Sequence, residues 1–328
     1  MKRQMKFLLG SALATALFIS TLAVPRAAHA GTVSTAVIGM FPKDVGEFAY
    51  ADLKSARKYP WFPQLREQML PKRFREFEKF LGTAGVDANT QVEELTWGSI
   101  QTSEGEDVVG VAQGEFDPSS AEARLKGQKI TPIEVKGYHL FPFAGGKDAA
   151  DILFTFIDSN TAAFGTRPGL EKLIDVRTGT TQGLLSDDRI FPLINETNGH
   201  GLVWAVLDKN YTHIAMQQLV PQASQFPQAT AIIDRLQAMT ITIDADNGVD
   251  AKFQAVCSSP DDANLLAAAL QAGLMYRRYQ EAQNGSALAG ALDGVSIAPS
   301  GNRLKIDAPV SQDQLLSLIR TGALSTSM

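Results

Sequence analysis

The chain has 328 residues, 45% hydrophobic and 20% charged, with a formal net charge of −5. This is ordinary globular composition, long enough for one large core or two smaller ones. A negative net charge makes nonspecific nucleic-acid binding a poor expectation, and a single cysteine, Cys257, rules out an intrachain disulfide.

In chain order, the first segment to stand out is residues 1–30. Lys2, Arg3 and Lys6 precede an apolar run from Phe7 to Val24, followed by Pro25 and the small-x-small triplet Ala28-His29-Ala30. This pattern predicts a signal peptide cleaved near Ala30 and a periplasmic or secreted mature chain. The alternative is a leader retained as an anchor, since the run approaches the length of a membrane span. Cleavage removes four basic side chains and no acids, so the mature net charge falls to −9.

Residues 31–41 read as a lead-in, and 48–53 as a short strand. Residues 60–81 are helical but broken by Pro63 and Pro71, which favours two short helices. Strands are expected near 92–101 and 107–116, then a helix opened by Asp117-Pro118-Ser119-Ser120. Hairpins follow at 130–143, turning at Lys136-Gly137, and at 151–165, turning at Asp158-Ser159-Asn160. Helices are expected from Pro168 to about Val176 and near 187–196.

Residues 202–207, LVWAVL, are apolar without alternation, as in a strand covered on both faces. Residues 211–236 read as helical with breaks at Pro221 and Pro227. Met239, Ile241, Ile243 and Ala245 then alternate with polar residues, Asp246-Asn247-Gly248 reverses the chain, and Ala251, Phe253, Ala255 and Cys257 form a second alternation. In that register Cys257 faces inward as a small buried hydrophobe. Ser259-Pro260-Asp261-Asp262 starts a long helix with cap, proline and acids each suited to its place. Strands near 294–298 and 302–307 and a last helix at 311–320 close the chain.

The fold predicted is α+β, in two similar units at 31–198 and 199–328, each a mainly antiparallel sheet covered on one face by helices. FAYADLK at 48–54 answers VWAVLDK at 203–209, Pro118 answers Pro260, and the turn residue Ser159 answers Ser300. These correspondences suggest an internal duplication. In the two Asp-terminated strands, the D-P and S-P helix openings and the hairpin-then-helix pattern at 151–176 and 294–320, the chain resembles exported bacterial proteins of unknown function with repeated strand–helix–hairpin units. The resemblance covers most of residues 47–320 and implies no catalytic residue.

Motifs for chemistry are absent or generic. His139, His200 and His213 have no metal-ligand spacing, and no cofactor fingerprint is present. Gly145-Gly146-Lys147 lacks the rest of a phosphate loop. Ser55-Ala56-Arg57-Lys58 has the SxxK spacing without its companion elements, a match that recurs by chance. Asp187-Asp188 and Asp261-Asp262 sit where helices are expected to start, and the helix dipole accounts for them.

The least ordinary stretch is basic: eight Lys/Arg and three Glu fall between Lys54 and Lys79, interleaved with Trp61, Phe62, Phe74, Phe77 and Phe80. Arg66, Lys72, Arg73 and Arg75 are the candidate interaction surface, for an anionic membrane surface or an acidic envelope partner. The competing reading makes its aromatics core and its charges a solvated face. The leading functional expectation is a non-enzymatic cell-envelope protein that binds an envelope protein or ligand. A periplasmic hydrolase with a site assembled from distant residues, and a peripheral membrane protein, are the alternatives.

Overall fold

The structure is a computed structural model that describes residues 19–20, 31–70, 72–103, 105–143, 151–219, 231, 233–245, 248–284 and 287–320. All but two residues of the expected leader, the glycine pair at 145–146, the middle of the 211–236 stretch and the turn residues 246–247 lie outside them. The elements, in chain order, are α1 (Thr35–Ile38), β1 (Glu47–Asp52), α2 (Leu53–Ala56), α3 (Phe62–Met69), α4 (Lys72–Thr83), α5 (Ala88–Gln91), β2 (Val92–Gln101), β3 (Glu106–Gly114) and α6 (Pro118–Gly127). Next come β4 (Ile133–Val135), β5 (Tyr138–Pro142), β6 (Ile152–Phe156), β7 (Thr161–Thr166), α7 (Arg167–Arg177), α8 (Phe191–Thr197), β8 (Val203–Leu207) and α9 (Lys209–Leu219). The remainder are β9 (Leu236–Asp244), β10 (Gly248–Cys257), α10 (Pro260–Gln283), α11 (Ala287–Asp293), β11 (Ser296–Ser300), β12 (Arg303–Ser311) and α12 (Gln312–Arg320). The class is α+β with antiparallel sheet throughout these strands.

Contacts divide the chain into two compact units: Thr32–Ser55 with Leu70–Pro192, and Ala56–Met69 with Leu193 onward. In the first unit the strand order is β1-β2-β3-β7-β6-β5-β4. Pairing puts Leu95, Ala112, Ala162, Phe164 and Phe154 on one face. That face is covered by Phe77 of α4 and by Ala121 and Leu125 of α6. The opposite face is covered too. Residues 31–41, expected as a lead-in, hold α1, and Val37, Ile38 and Phe41 are core residues. Phe41 and Val45 press on Gly98, and α7 buries Leu170, Leu173 and Ile174. Apolar spacing over so short a segment is too sparse to distinguish a core strap from a polar lead-in.

In the second unit β8-β9-β10-β12 pair in that order and β11 joins the far side of β12. One cluster sets Met216 of α9 and Ala263, Leu266 and Ala267 of α10 against Leu236, Ala255, Cys257 and Leu304. A second sets Leu315, Leu318 and Ile319 of α12, with Trp61 ahead of α3, against Ala245, Val249 and Val310. Here α3 is tied in through the Tyr59 hydroxyl, which donates to the Ala245 carbonyl, and the Gln68 amide, which donates to the Ile319 carbonyl at 2.8 Å.

Helix starts follow the expected chemistry. The Ser259 hydroxyl accepts the Asp262 N–H at 3.1 Å with Pro260 in the first turn, and the Asp117 carboxylate accepts the Ser120 N–H at 3.1 Å ahead of Pro118. Asp52 and Asp208, which end β1 and follow β8, take the N–H groups of Ser55 and Tyr211 at 2.7 and 3.0 Å. Asp187 departs from expectation: α8 begins at Phe191, and Asp187 instead closes a turn by accepting the Arg189 N–H at 2.6 Å while pairing with its guanidinium. Its buried carboxylate is spent on the turn, so no helix nucleates there.

Replacing Ser259 with Ala removes the cap and the hydroxyl that also donates to Asp262 at 2.7 Å. The expected cost is about 1 kcal/mol of stability, read as a lower chemical-denaturation midpoint with unchanged slope.

Candidate functional site

Two features of the first unit combine residues that local folding does not require to meet. The first is aromatic. Phe77, Phe116, Phe141, Phe154 and Phe164 are buried in one cluster, and Phe74, Phe80, Phe143 and Phe156 pack against it. Nine of the 17 phenylalanines in the chain therefore gather on one sheet face. Three come from α4 at positions 74, 77 and 80, spaced to share one side of a helix. Phe154 and Phe156 alternate on β6, and Phe164 sits opposite Phe154 on β7.

Gly110 makes the arrangement possible. Phe164 lies across it in the neighbouring strand, and a Cβ there would stand 2.2 Å from the ring. The rings meet at an angle rather than stacking flat: Phe77 and Phe154 at 67° and Phe80 and Phe154 at 78°, with centroids about 6 Å apart. They leave a cavity of about 40 Å³ lined by Phe77, Leu81, Val86, Val92, Ala112 and neighbours, with no polar atom in its wall.

The second feature is Glu47, at the start of β1 and 1% exposed. Burial, and then the negative charge of Glu106, push its carboxyl up from 4.5 to about 7. Ser99, its register partner on β2, and Trp97 temper the shift without reaching normal hydrogen-bond geometry, so both carboxyl oxygens are buried and unbonded. A carboxyl near neutrality is what general acid–base chemistry uses. This one is sealed from solvent, and no histidine stands among the groups that shift it.

The other sequence candidates lie on several different elements. Arg66 is half-buried on α3 in the second unit. Arg75 is exposed on α4 in the first and donates to the Leu70 carbonyl at 2.6 Å. Lys72 and Arg73 lie in the same helix as Arg75, and their side chains are outside the described residues. The aromatics interleaved with these charges are core: Trp61 and Phe77 are buried, and Phe62, Phe74 and Phe80 pack on the clusters. His139 pairs with the Glu122 carboxylate at 3.1 Å on the surface. Among the described residues no three His, Cys, Asp or Glu side chains converge as a metal site. Cys257 is buried, and burial pushes its thiol up, away from a reactive thiolate.

No protein-family model and no curated protein matches the chain. Among solved structures, crystal forms I, III and IV of TP0453 are similar to it, at 12% identity in each case. Their TM-scores are 0.47, 0.49 and 0.48; the matches cover 90%, 88% and 87% of this chain and 100%, 99% and 97% of those chains.

Glu47 makes stability depend on pH in a defined direction. Its folded-state value lies above its unfolded one, so between about 4.5 and 7 the unfolded chain gives up the proton first and stability falls as pH rises. The full penalty, about 3 kcal/mol, is reached above neutrality. Glu47→Gln is therefore expected to raise the unfolding free energy at pH 8 by roughly that amount and to leave it near wild type at pH 4, measured by urea denaturation at both values.

Proposed function

We propose that the chain is a non-enzymatic binding protein of the cell envelope, and that its first unit takes an apolar ligand into the phenylalanine cluster beneath α4. The observation that carries this reading is a cavity walled entirely by apolar side chains, with three of the surrounding rings on a single helix. Ligand sites are mostly apolar with few polar groups, and a wall with none selects a hydrocarbon chain. The cavity is far smaller than such a chain, so entry requires α4 to lift, spreading Phe74, Phe77 and Phe80 from the sheet. Arg75 and Lys79 are exposed on that helix. They suit an anionic head group at the surface while the tail lies below, and they keep the basic stretch in a binding role.

The hydrolase alternative has Glu47 in its favour, but a carboxyl closed to solvent and without a nucleophile–base pair supports burial chemistry over catalysis. The shared order of the first three strands and the last hairpin of each unit, with Asp52 and Asp208 capping after their first strands and Pro118 and Pro260 opening the central helices, supports an internal duplication. In that reading the aromatic cluster is a specialisation of the first copy. The predicted leader supports export.

The test is fluorescence titration with a long-chain fluorescent carboxylate. Saturable uptake is expected for the wild type. Ala112→Leu, which fills the cavity, is expected to weaken uptake at least tenfold while the protein keeps or gains about 1 kcal/mol of stability. Arg75→Glu is expected to weaken the carboxylate and spare a neutral probe of the same chain length. Uptake unchanged by Ala112→Leu would send the proposal elsewhere on the molecule.

A further inference from the structure

Helix α10 carries apolar residues on two opposite sides. Ala263, Leu266, Ala267 and, in part, Leu270 face the core of the second unit. Half a turn round, Leu265, Ala268, Ala269, Ala272, Met275, Tyr276 and Tyr279 share the outward side and are all exposed. Leu265 is 49% exposed, and Met275, Tyr276 and Tyr279 are 63%, 65% and 66% exposed. Large exposed apolar side chains grouped along one helix mark an interaction surface.

The order of sizes along this stripe identifies the partner. Small residues occupy its middle, one large residue its N-terminal end and three its C-terminal end. Set two copies of α10 antiparallel with a two-fold axis at Ala272. Leu265 then meets Tyr279 of the partner subunit, Ala268 meets the partner's Tyr276, and Ala269 meets the partner's Met275. Every large side chain finds a small one or a single aliphatic neighbour, and at the axis two alanines allow close approach. The polar residues Asn264 and Gln280 are related by the same axis, so the rim is matched as well.

We infer that this face is a self-complementary, isologous interface through which two copies of the chain associate by antiparallel pairing of α10. A two-fold contact pairs residue i with j and j with i, and here each of the three pairs so generated sets a large side chain against a smaller one. Antiparallel pairing also sets the positive N-terminal end of each helix, with its Asp261 and Asp262, beside the negative end of the other. The helix is 24 residues long, about 36 Å. Its two tyrosines with Met275 and Leu265 expose on the order of 500 Å². With the alanines between them, that approaches the roughly 800 Å² per partner of a stable interface. A lipid surface fits less well. Asn264, Gln271 and Gln280 beside the stripe are uncharged, and Arg277 is paired with Glu281 at 2.9 Å.

The experiment is sedimentation equilibrium of the purified protein across two decades of concentration around the micromolar range, with two variants at the axis. The wild type is expected to show a reversible monomer–dimer equilibrium. Ala272→Glu places two carboxylates against each other and is expected to leave monomer only, with the melt of the wild type at concentrations where the wild type is itself monomeric. Ala272→Cys is expected to give a covalent dimer under mild oxidation, since two cysteines at the axis fall within disulfide reach. Asn264→Cys alone is expected to give none, because its partner position is Gln280. A wild type that stays monomeric throughout, or a dimer that survives Ala272→Glu, overturns the inference. So does a monomer that floats with phosphatidylcholine vesicles through Tyr276 and Tyr279, which would assign the face to lipid.

Discussion

All six residues of β1 are buried, including Glu47 at one end and Asp52 at the other. A strand with both faces covered has no solvent side on which to place a charge, and its two acids are handled in opposite ways. Asp52 turns to the end of the strand, where the Ser55 N–H receives it and starts the next helix. Glu47 remains in the sheet, and its proton affinity rises until the group is held neutral over much of the accessible pH range. The first carboxylate costs little because the backbone supplies its partner. The second accepts a desolvation penalty that the surrounding packing must outweigh.

The same economy of space shapes the aromatic cluster. Packing rings of this size at an angle on a sheet requires strand positions without side chains of their own, and Gly110 supplies one beneath Phe164. The remaining misfit collects as a small apolar pocket beside α4, the element that contributes three of the rings. Arg75 and Lys79 are thus on the exposed side of a helix whose inner side is phenylalanine. Sequence order interleaves these two sets, and the helix separates them.

α10 makes the opposite use of a helix. One apolar side suffices to hold it to the second unit, and the other side has no function in folding. Its residues run from one large side chain through a block of alanines to three large side chains along the axis. Random surface apolarity gives no such order, and a helix meant only for solvent would carry charge there instead. The surplus face and its internal symmetry separate association from stability in this element.

Much of the fold was legible in the residues themselves. The strand pair ending at Cys257, the hairpin turns at Lys136-Gly137 and Ser159, and the helix openings at Asp117-Pro118 and Ser259-Pro260 all form where expected, because each depends on neighbours a few positions away. Period and capping are local properties and survive in the linear text. The core role of residues 31–41, the turn at Asp187, the gathering of nine phenylalanines and the sealing of Glu47 were not legible. Each of these depends on which distant strand lies alongside: Glu47 on Ser99, Gly110 on Phe164, Phe41 on Gly98. The sequence by itself determined an α+β chain, its antiparallel hairpins and the absence of any familiar catalytic motif. Only the tertiary structure decided which apolar residues enclose a cavity, which acid loses its water and which helix face remains uncovered, because desolvation is set by neighbours in space and not by order along the chain.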